Sequence, residues 1–140
     1  MREYKFRGWD AVGGKGWVYG DLVHNKRVDL TDRVMVGGYE VVPESVGLCT
    51  GMTDKNGVKI FEGDIVRQRD LTFGLKFDGV VVYNSEIGCF RIHSENNGVT
   101  MRMGFEASDV YNDGKCTVPV EYDYEVIGNI HDNSELLVAN

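Results

Sequence analysis

The sequence predicts a mostly β protein: an N-terminal β-hairpin, a strand-rich body and a short C-terminal helix. Three observations carry this. Apolar and polar residues alternate at period two in one short segment after another, the pattern of strands with one face buried. Eighteen glycines stand against two prolines in 140 residues, scattered singly beside β-branched and aromatic side chains, as many turns and short strands require. Only two segments offer so much as a helical turn.

Taken in order, REYKFRGWD alternates the apolar Tyr4 and Phe6 with Glu3, Lys5 and Arg7 and reads as a half-buried strand. Trp17 and Tyr19 repeat the pattern after VGGKG, whose glycines supply positive-φ turn positions, so the two segments make the first hairpin. The quiet, polar GDLVHNKRVDLTDRV is expected as a mobile loop around Asn25. YEVVP, Tyr39 to Pro43, is a short strand ended by proline. After Thr50 the strands grow clearer: DIVRQR, GVVVYN, CFRIH and YEVIGNI are each bounded by turn residues. In the last, Tyr122, Tyr124, Val126, Gly128 and Ile130 share one face. Asn97-Gly98 and Asp113-Gly114 mark tight hairpin connections. GFEASDV, Gly104 to Val110, is one helical turn or a loop. HDNSELLV offers Asp132, Asn133 or Ser134 as an N-cap and two leucines to pack, giving the short terminal helix.

A chain of this length is one domain, residues 1–140, able to bury roughly two-thirds of its unfolded surface without staples. Within it, residues 1–47 form a β-rich N-terminal part and 48–140 the body. The net charge of −7 repels nucleic acid and anionic membrane at long range, which lowers nonspecific DNA binding without excluding a local basic face. Cys49, Cys89 and Cys116 are widely spaced, with no C-x-x-C for zinc or redox chemistry. The N-terminus lacks the apolar core of a signal peptide, and no apolar run is long enough to span a membrane. The expectation is a soluble cytoplasmic protein with reduced thiols.

The stretch TGMTDKNGVKIFEGDIVRQ gathers acids and glycines around one apolar run. Asp54 can accept a hydrogen bond from a following backbone N–H, and Asn56-Gly57 suits a type I turn closed by a left-handed glycine. In VKIFEGD, Val58, Ile60 and Phe61 are expected to pack while Lys59 and Glu62 face water; Gly63 permits a sharp bend that Asp64 can hold. A calcium loop needs about six ordered oxygen ligands, and the third ligand position is missing here. The stretch is turn chemistry, so Asp54, Asn56, Gly57, Gly63 and Asp64 are structural residues.

On a strand DIVRQR, Arg67 and Arg69 project from one face, and on CFRIH, Arg91 and His93 do the same, opposite Phe90 and Ile92. As neighbours they would form a cationic patch for phosphates, with Tyr83 as a stacking surface. Catalysis finds no comparable constellation. Cys89 and His93, four residues apart on a strand, would sit about 13 Å apart, far beyond hydrogen-bond reach. There is no P-loop, G-x-S-x-G or H-E-x-x-H. Trp9, Trp17 and Tyr19 are core residues of the first hairpin or, on its outer side, protein-contact residues.

REYKFRGWD, TGMTDKNGVKIFEGDIVR and YEVIGNIHDNSELL, in that order, resemble the YopX family of bacteriophage and prophage proteins. In that family a start like I-K-F-R-x-W-D, a centre like T-G-L-x-D-K-N-G-x-x-I-Y-E-G-D-I-V and an ending like Y-E-V-I-G-N-I-Y-E-N-P-E-L-L recur. The resemblance covers essentially the whole chain. Met52, Phe61, His131 and Ser134 depart from it, the first two at similar volume. It implies a mostly β, barrel-like body and no established activity. EGDIVR followed by GVVVYN also looks like the opening of SH3-like barrels, with Ile65, Val81, Phe90, Ile92 and Val126 in the interior. The expected protein is thus a phage-encoded, non-catalytic binding module with an SH3-like barrel body and no cofactor. It engages a protein partner, a second copy included, with nucleic acid as the alternative.

Overall fold

The period-two segments become β1 (Phe6–Trp9), β2 (Trp17–Gly20), β3 (Leu22–Lys26), β4 (Asp32–Val36), β5 (Tyr39–Glu40), β6 (Gly47–Thr53) and β7 (Lys59–Phe61). They continue as β8 (Asp64–Asp70), β9 (Lys76–Asn84), β10 (Cys89–His93), β11 (Thr100–Arg102), β12 (Val110–Tyr111), β13 (Cys116–Thr117) and β14 (Tyr122–Asn129). A 3-10 turn spans Pro43–Ser45. The structure is a computed structural model that describes residues 5–71, 73–86, 88–94, 100–102, 110–111, 116–117 and 122–133, with backbone alone in 100–102, 110–111 and 116–117. The chain divides into two compact units, one of Met1–Met52 with Lys59–Gly63, the other of Thr53–Val58 with Asp64–Asn140.

The first unit holds a four-stranded sheet, β2-β1-β6-β7, and a three-stranded one, β3-β4-β5. Its core is Val18, Val36 and Val41, with Phe6, Leu22, Val34 and Val46 packed against them. Gly8 lies so close to Val41 that a Cβ would meet its side chain at 2.8 Å, so glycine here permits the strand to approach the core. The segment expected as a mobile loop is instead the antiparallel β3–β4 hairpin, paired from Leu22↔Val36 to Lys26↔Asp32. Its side chains look quiet because β3 is exposed from Val23 to Lys26, and an edge strand needs no apolar alternation.

The hairpin's turn closes with Leu30 N–H to Arg27 O at 2.9 Å and Arg27 N–H to Thr31 O at 2.8 Å. Leu30 takes φ +69°, the left-handed position that glycine usually fills in a three-residue hairpin loop.

The second unit holds a five-stranded antiparallel sheet, β11-β10-β9-β8-β14, and the β12–β13 pair. Ile65, Val66, Val81, Ile92 and Tyr124 are its buried apolar residues on that sheet, with Val80 beside them. Ile65, Val81 and Ile92 are buried as expected, while Phe90 and Val126 are only half-buried. The β8–β14 ladder slips between Val126 and Gly128, a bulge that re-aims the end of β14.

No sheet closes into a barrel among the described residues. The expected SH3-like closure would need the outer edge of β14, and that edge is already occupied. Lys55 N–H donates to Tyr124 O at 2.8 Å, and Asp54 Oδ2 accepts Val126 N–H at 3.0 Å.

The antiparallel pairings β10–β11 and β12–β13 bracket the expected turns. Asn97-Gly98 and Asp113-Gly114 themselves lie outside the described residues, as does most of GFEASDV. The expected terminal helix, from Ser134 on, lies outside them too. Just before it, Asn129 closes a turn of its own, its Oδ1 accepting the N–H of His131 and of Asp132 at 2.9 Å each. Asn133 N–H follows with a bond to Asn129 O at 2.8 Å, an α-like turn.

Candidate functional site

The TDKNG turn is built around one carboxylate. Asp54 N–H donates to Val58 O at 2.7 Å and Gly57 N–H to Asp54 O at 3.0 Å, with Gly57 at φ +82°. The Asp54 side chain is 7% exposed. Its Oδ1 accepts Asn56 N–H at 2.8 Å and Val58 N–H at 2.9 Å, and Oδ2 reaches Val126 seventy-two residues away. Burial pushes the carboxyl pKa up. The three backbone donors, Val126, Val58 and Asn56, together with Lys55 outweigh it and hold the group below the ordinary carboxylate range.

The turn residues therefore do what their chemistry indicates, and Asp54 also covers the β14 edge. Gly63 bends at φ +92°, and Asp64 is buried at the start of β8. Val58, expected to pack, is exposed, while Ile60 and Phe61 are buried.

Arg67, Arg69, Arg91 and His93 do share one face of the second unit's sheet. Residues directly opposite in an antiparallel ladder point to the same side. Arg67 pairs with Asp78 and Arg69 with Lys76 across β8–β9, and Arg91 with Val82 and His93 with Val80 across β9–β10. β9 separates the two cationic strands, so they are not neighbours. Arg67 is bidentate to Asp78, Nε–Oδ1 2.8 Å and Nη2–Oδ2 3.0 Å, and Arg69 is paired with Asp123. These bonds raise both guanidinium pKa values, the hydrogen bond with the carboxylate being the main cause. Glu125 stands opposite Arg67 on β14. Acids thus answer both arginines of β8, since Asp123 stands opposite Arg69, while Lys76 is the other neighbour of Arg69 and Arg102 is opposite Arg91. The unit carries the chain's whole acidic surplus: in the first unit Lys+Arg and Asp+Glu are equal in number.

The first unit presents a different surface. Across β1–β2, Arg7 is opposite Tyr19 and Trp9 opposite Trp17, so one face of the hairpin carries all four. Arg7 is 6% exposed, its guanidinium 4.6 Å from the Trp17 ring centre and 5.1 Å from that of Phe61. Trp9 meets Trp17 edge-to-face at 5.4 Å, and Tyr19 leans on Phe61 at 5.6 Å. Lys5 lies 5.4 Å from the Tyr19 ring centre. Trp9 and Tyr19 remain 40% and 48% exposed.

The backbone under this face is fixed at both ends. Ser45 Oγ accepts Trp9 N–H at 2.8 Å. Asp10 accepts Val12 and Gly13 N–H at 3.0 Å and Lys15 N–H at 3.1 Å. Those donors, Gly13 first, then Val12 and Lys15, lower the Asp10 pKa.

The model of the YopX protein family matches residues 5–138. The chain belongs to the YopX family. Among solved structures, this YopX chain is similar to the crystal structure of protein EF1440 from Enterococcus faecalis, at 24% identity over 98% of this chain and 99% of that one, with a TM-score of 0.45. No curated protein matches it.

Sequence reasoning left the aromatics of this YopX protein undecided and took Arg7 for the polar side of a half-buried strand. The available signal was parity: Arg7 and Trp9 are two apart on one strand, as are Trp17 and Tyr19 on the next. A hairpin joining them therefore collects both pairs on one face. The Asp54–Val126 bond had no local signal. Among the described residues no helix is long and apolar enough to cross a membrane, and no cluster of three His, Cys, Asp or Glu is placed to hold a metal ion.

Proposed function

We propose that this YopX-family protein is a phage- or prophage-encoded, cytoplasmic, non-catalytic module that binds a protein partner. The aromatic face of its first unit is the contact surface. One observation carries the reading: Trp9 and Tyr19 are half-exposed yet held in place, by Trp17, Phe61 and the buried Arg7 beneath them. Trp, Tyr and Arg dominate the binding energy of protein interfaces, and anchors already ordered in the free protein lose little side-chain entropy on binding.

The test is affinity capture from a host carrying the phage, comparing the wild type with a Trp9→Ser, Tyr19→Ser double variant of unchanged circular dichroism. Partners retained by the wild type and lost by the variant support the reading. The same partners on both, or none on either, refutes it.

Nucleic-acid binding is the second reading, favoured by the common face of Arg67, Arg69, Arg91 and His93. The pairing of Arg67 with Asp78 and Arg69 with Asp123 counts against it, because a phosphate contact at either arginine would have to displace a carboxylate. Fluorescence anisotropy with mixed-sequence DNA and RNA at two salt concentrations decides it. Binding that weakens steeply with salt and drops in Arg67→Ala and Arg91→Ala promotes nucleic acid to first place.

A further inference from the structure

β3 ends the three-stranded sheet β3-β4-β5, and no strand pairs with its outer edge among the described residues. Which backbone groups lie on that edge follows from the hairpin's own bonds. Arg27 donates its N–H to Thr31, and Asp21 O accepts from Gly37 N–H, so both point towards β4. In an antiparallel ladder inward and outward residues alternate. The N–H and C=O of Val23 and Asn25 therefore also face β4, and those of Leu22, His24 and Lys26 face out. Val34 O is bonded to Val41 N–H on the far side of β4 at 3.0 Å, which agrees with the same alternation for the His24↔Val34 pair.

Natural edges are blunted by proline, a bulge, charged side chains, lysine above all, or by the shortness of the strand. β3 has no proline, and its pairing with β4 is unbroken. Its lysine, Lys26, is neutralised by Asp32 at 2.7 Å, as Arg27 beyond it is by Glu40. The β14 edge, by contrast, is covered by Asp54 and Lys55.

We propose that a second copy of this chain adds to the outer edge of β3, antiparallel and centred on His24, so that the two three-stranded sheets become one. This deepens the protein-partner reading by naming a partner, and uses a surface separate from the aromatic face. Symmetry selects the register. A closed dimer is two-fold, and an antiparallel strand pair needs that axis normal to the sheet, so the axis must pass beside a residue rather than between two.

Of the outward residues, only His24 as centre engages all three: His24 with its own copy, and Leu22 with Lys26 of the other copy, about six backbone hydrogen bonds in all. The same register sets Asp21 of one copy against Arg27 of the other, whereas parallel pairing would set like against like. Leu22, which packs on the Val18–Val36–Val41 core, stays on the same side of the joined sheet in both copies.

The register makes a sharp test. At the axis the two Cα atoms are about 5.5 Å apart, within the range of about 4.4–6.8 Å that a disulfide spans. One residue away, Val23 and its copy are about 8 Å apart. In a background with Cys89 and Cys116 changed to serine, His24→Cys should form a covalent dimer under mild oxidation and Val23→Cys should not. In the native background, His24→Pro removes the outward N–H together with the imidazole and breaks no hydrogen bond to β4. It should leave circular dichroism unchanged, and melting unchanged at concentrations where the wild type is monomeric, while raising the dimer dissociation constant at least ten-fold in sedimentation equilibrium.

A wild-type monomer up to about 1 mM overturns the proposal. So does a dimer indifferent to His24→Pro, or cross-linking at Val23 instead of His24. A dimer lost in the Trp9, Tyr19 variant but kept in His24→Pro would overturn the edge and leave the aromatic-face reading standing. Partner capture that fails while the His24-centred dimer persists would do the reverse.

Discussion

Replacing Asp54 with alanine removes one carboxylate and leaves three backbone N–H groups without their acceptor. The three are not equal. Asn56 and Val58 lie on an exposed turn, where water can replace the lost oxygen, so each costs a fraction of a kcal/mol. Val126 N–H sits on the half-buried β14 edge, and a hydrogen bond to a charged group is worth about 1.5–3 kcal/mol. The total is about 3 kcal/mol, a large fraction of an ordinary stability of about 5–15 kcal/mol. Urea denaturation at pH 7, with m-values compared to check for two-state behaviour, measures it.

The pH dependence tests the cause. The native Asp54 pKa is lowered, so its contribution is fully present above the unfolded value of about 3.9. It is lost as pH falls through the lower native pKa. The gap between wild type and Asp54→Ala should therefore be constant from pH 7 to about 5 and shrink below about 4. A cost under about 1 kcal/mol at pH 7, or a gap that does not narrow in acid, refutes the account of Asp54 as the cover of β14.

Two further substitutions test backbone geometry in the first unit. Leu30 is 74% exposed at φ +69°, so Leu30→Gly relieves strain and loses little packing. It should raise stability by about 1 kcal/mol in thermal denaturation, and a lower melting temperature would show that the leucine packs after all. At Gly47 a Cβ would lie 2.4 Å from the Glu62 carbonyl oxygen, a backbone atom that cannot swing aside. Gly47→Ala should therefore cost about 2–3 kcal/mol by forcing β6 and the Glu62 backbone apart, and a neutral result in urea would contradict that approach distance.

What the sequence makes legible is whatever one segment decides for itself. The Asp54–Gly57 turn could be foreseen atom by atom, because an aspartate two residues before the accepted N–H and a glycine at the left-handed position are local facts. The strands DIVRQR, GVVVYN, CFRIH and YEVIGNI were legible because each buries apolar residues against a core. β3 was not, since an exposed edge strand has no core to alternate against, and its order comes from β4 alone. The common face of Arg67, Arg69, Arg91 and His93 was legible from parity, but Asp78 and Asp123 became the partners of Arg67 and Arg69 only through strand order and register, which one segment does not contain.

The same distinction explains why the opening of the barrel was hidden. Closure depends on which edge of β14 is free, and that is decided by Asp54, seventy-two residues earlier in the chain. A turn that looks complete in itself spends one carboxylate oxygen on its own backbone and the other on a distant strand. The TDKNG turn thus constrains the fold twice over, through its own backbone and through β14. Its hydrogen bonds serve folding, and the two surfaces proposed for binding lie elsewhere, on the aromatic face of β1–β2 and the open edge of β3.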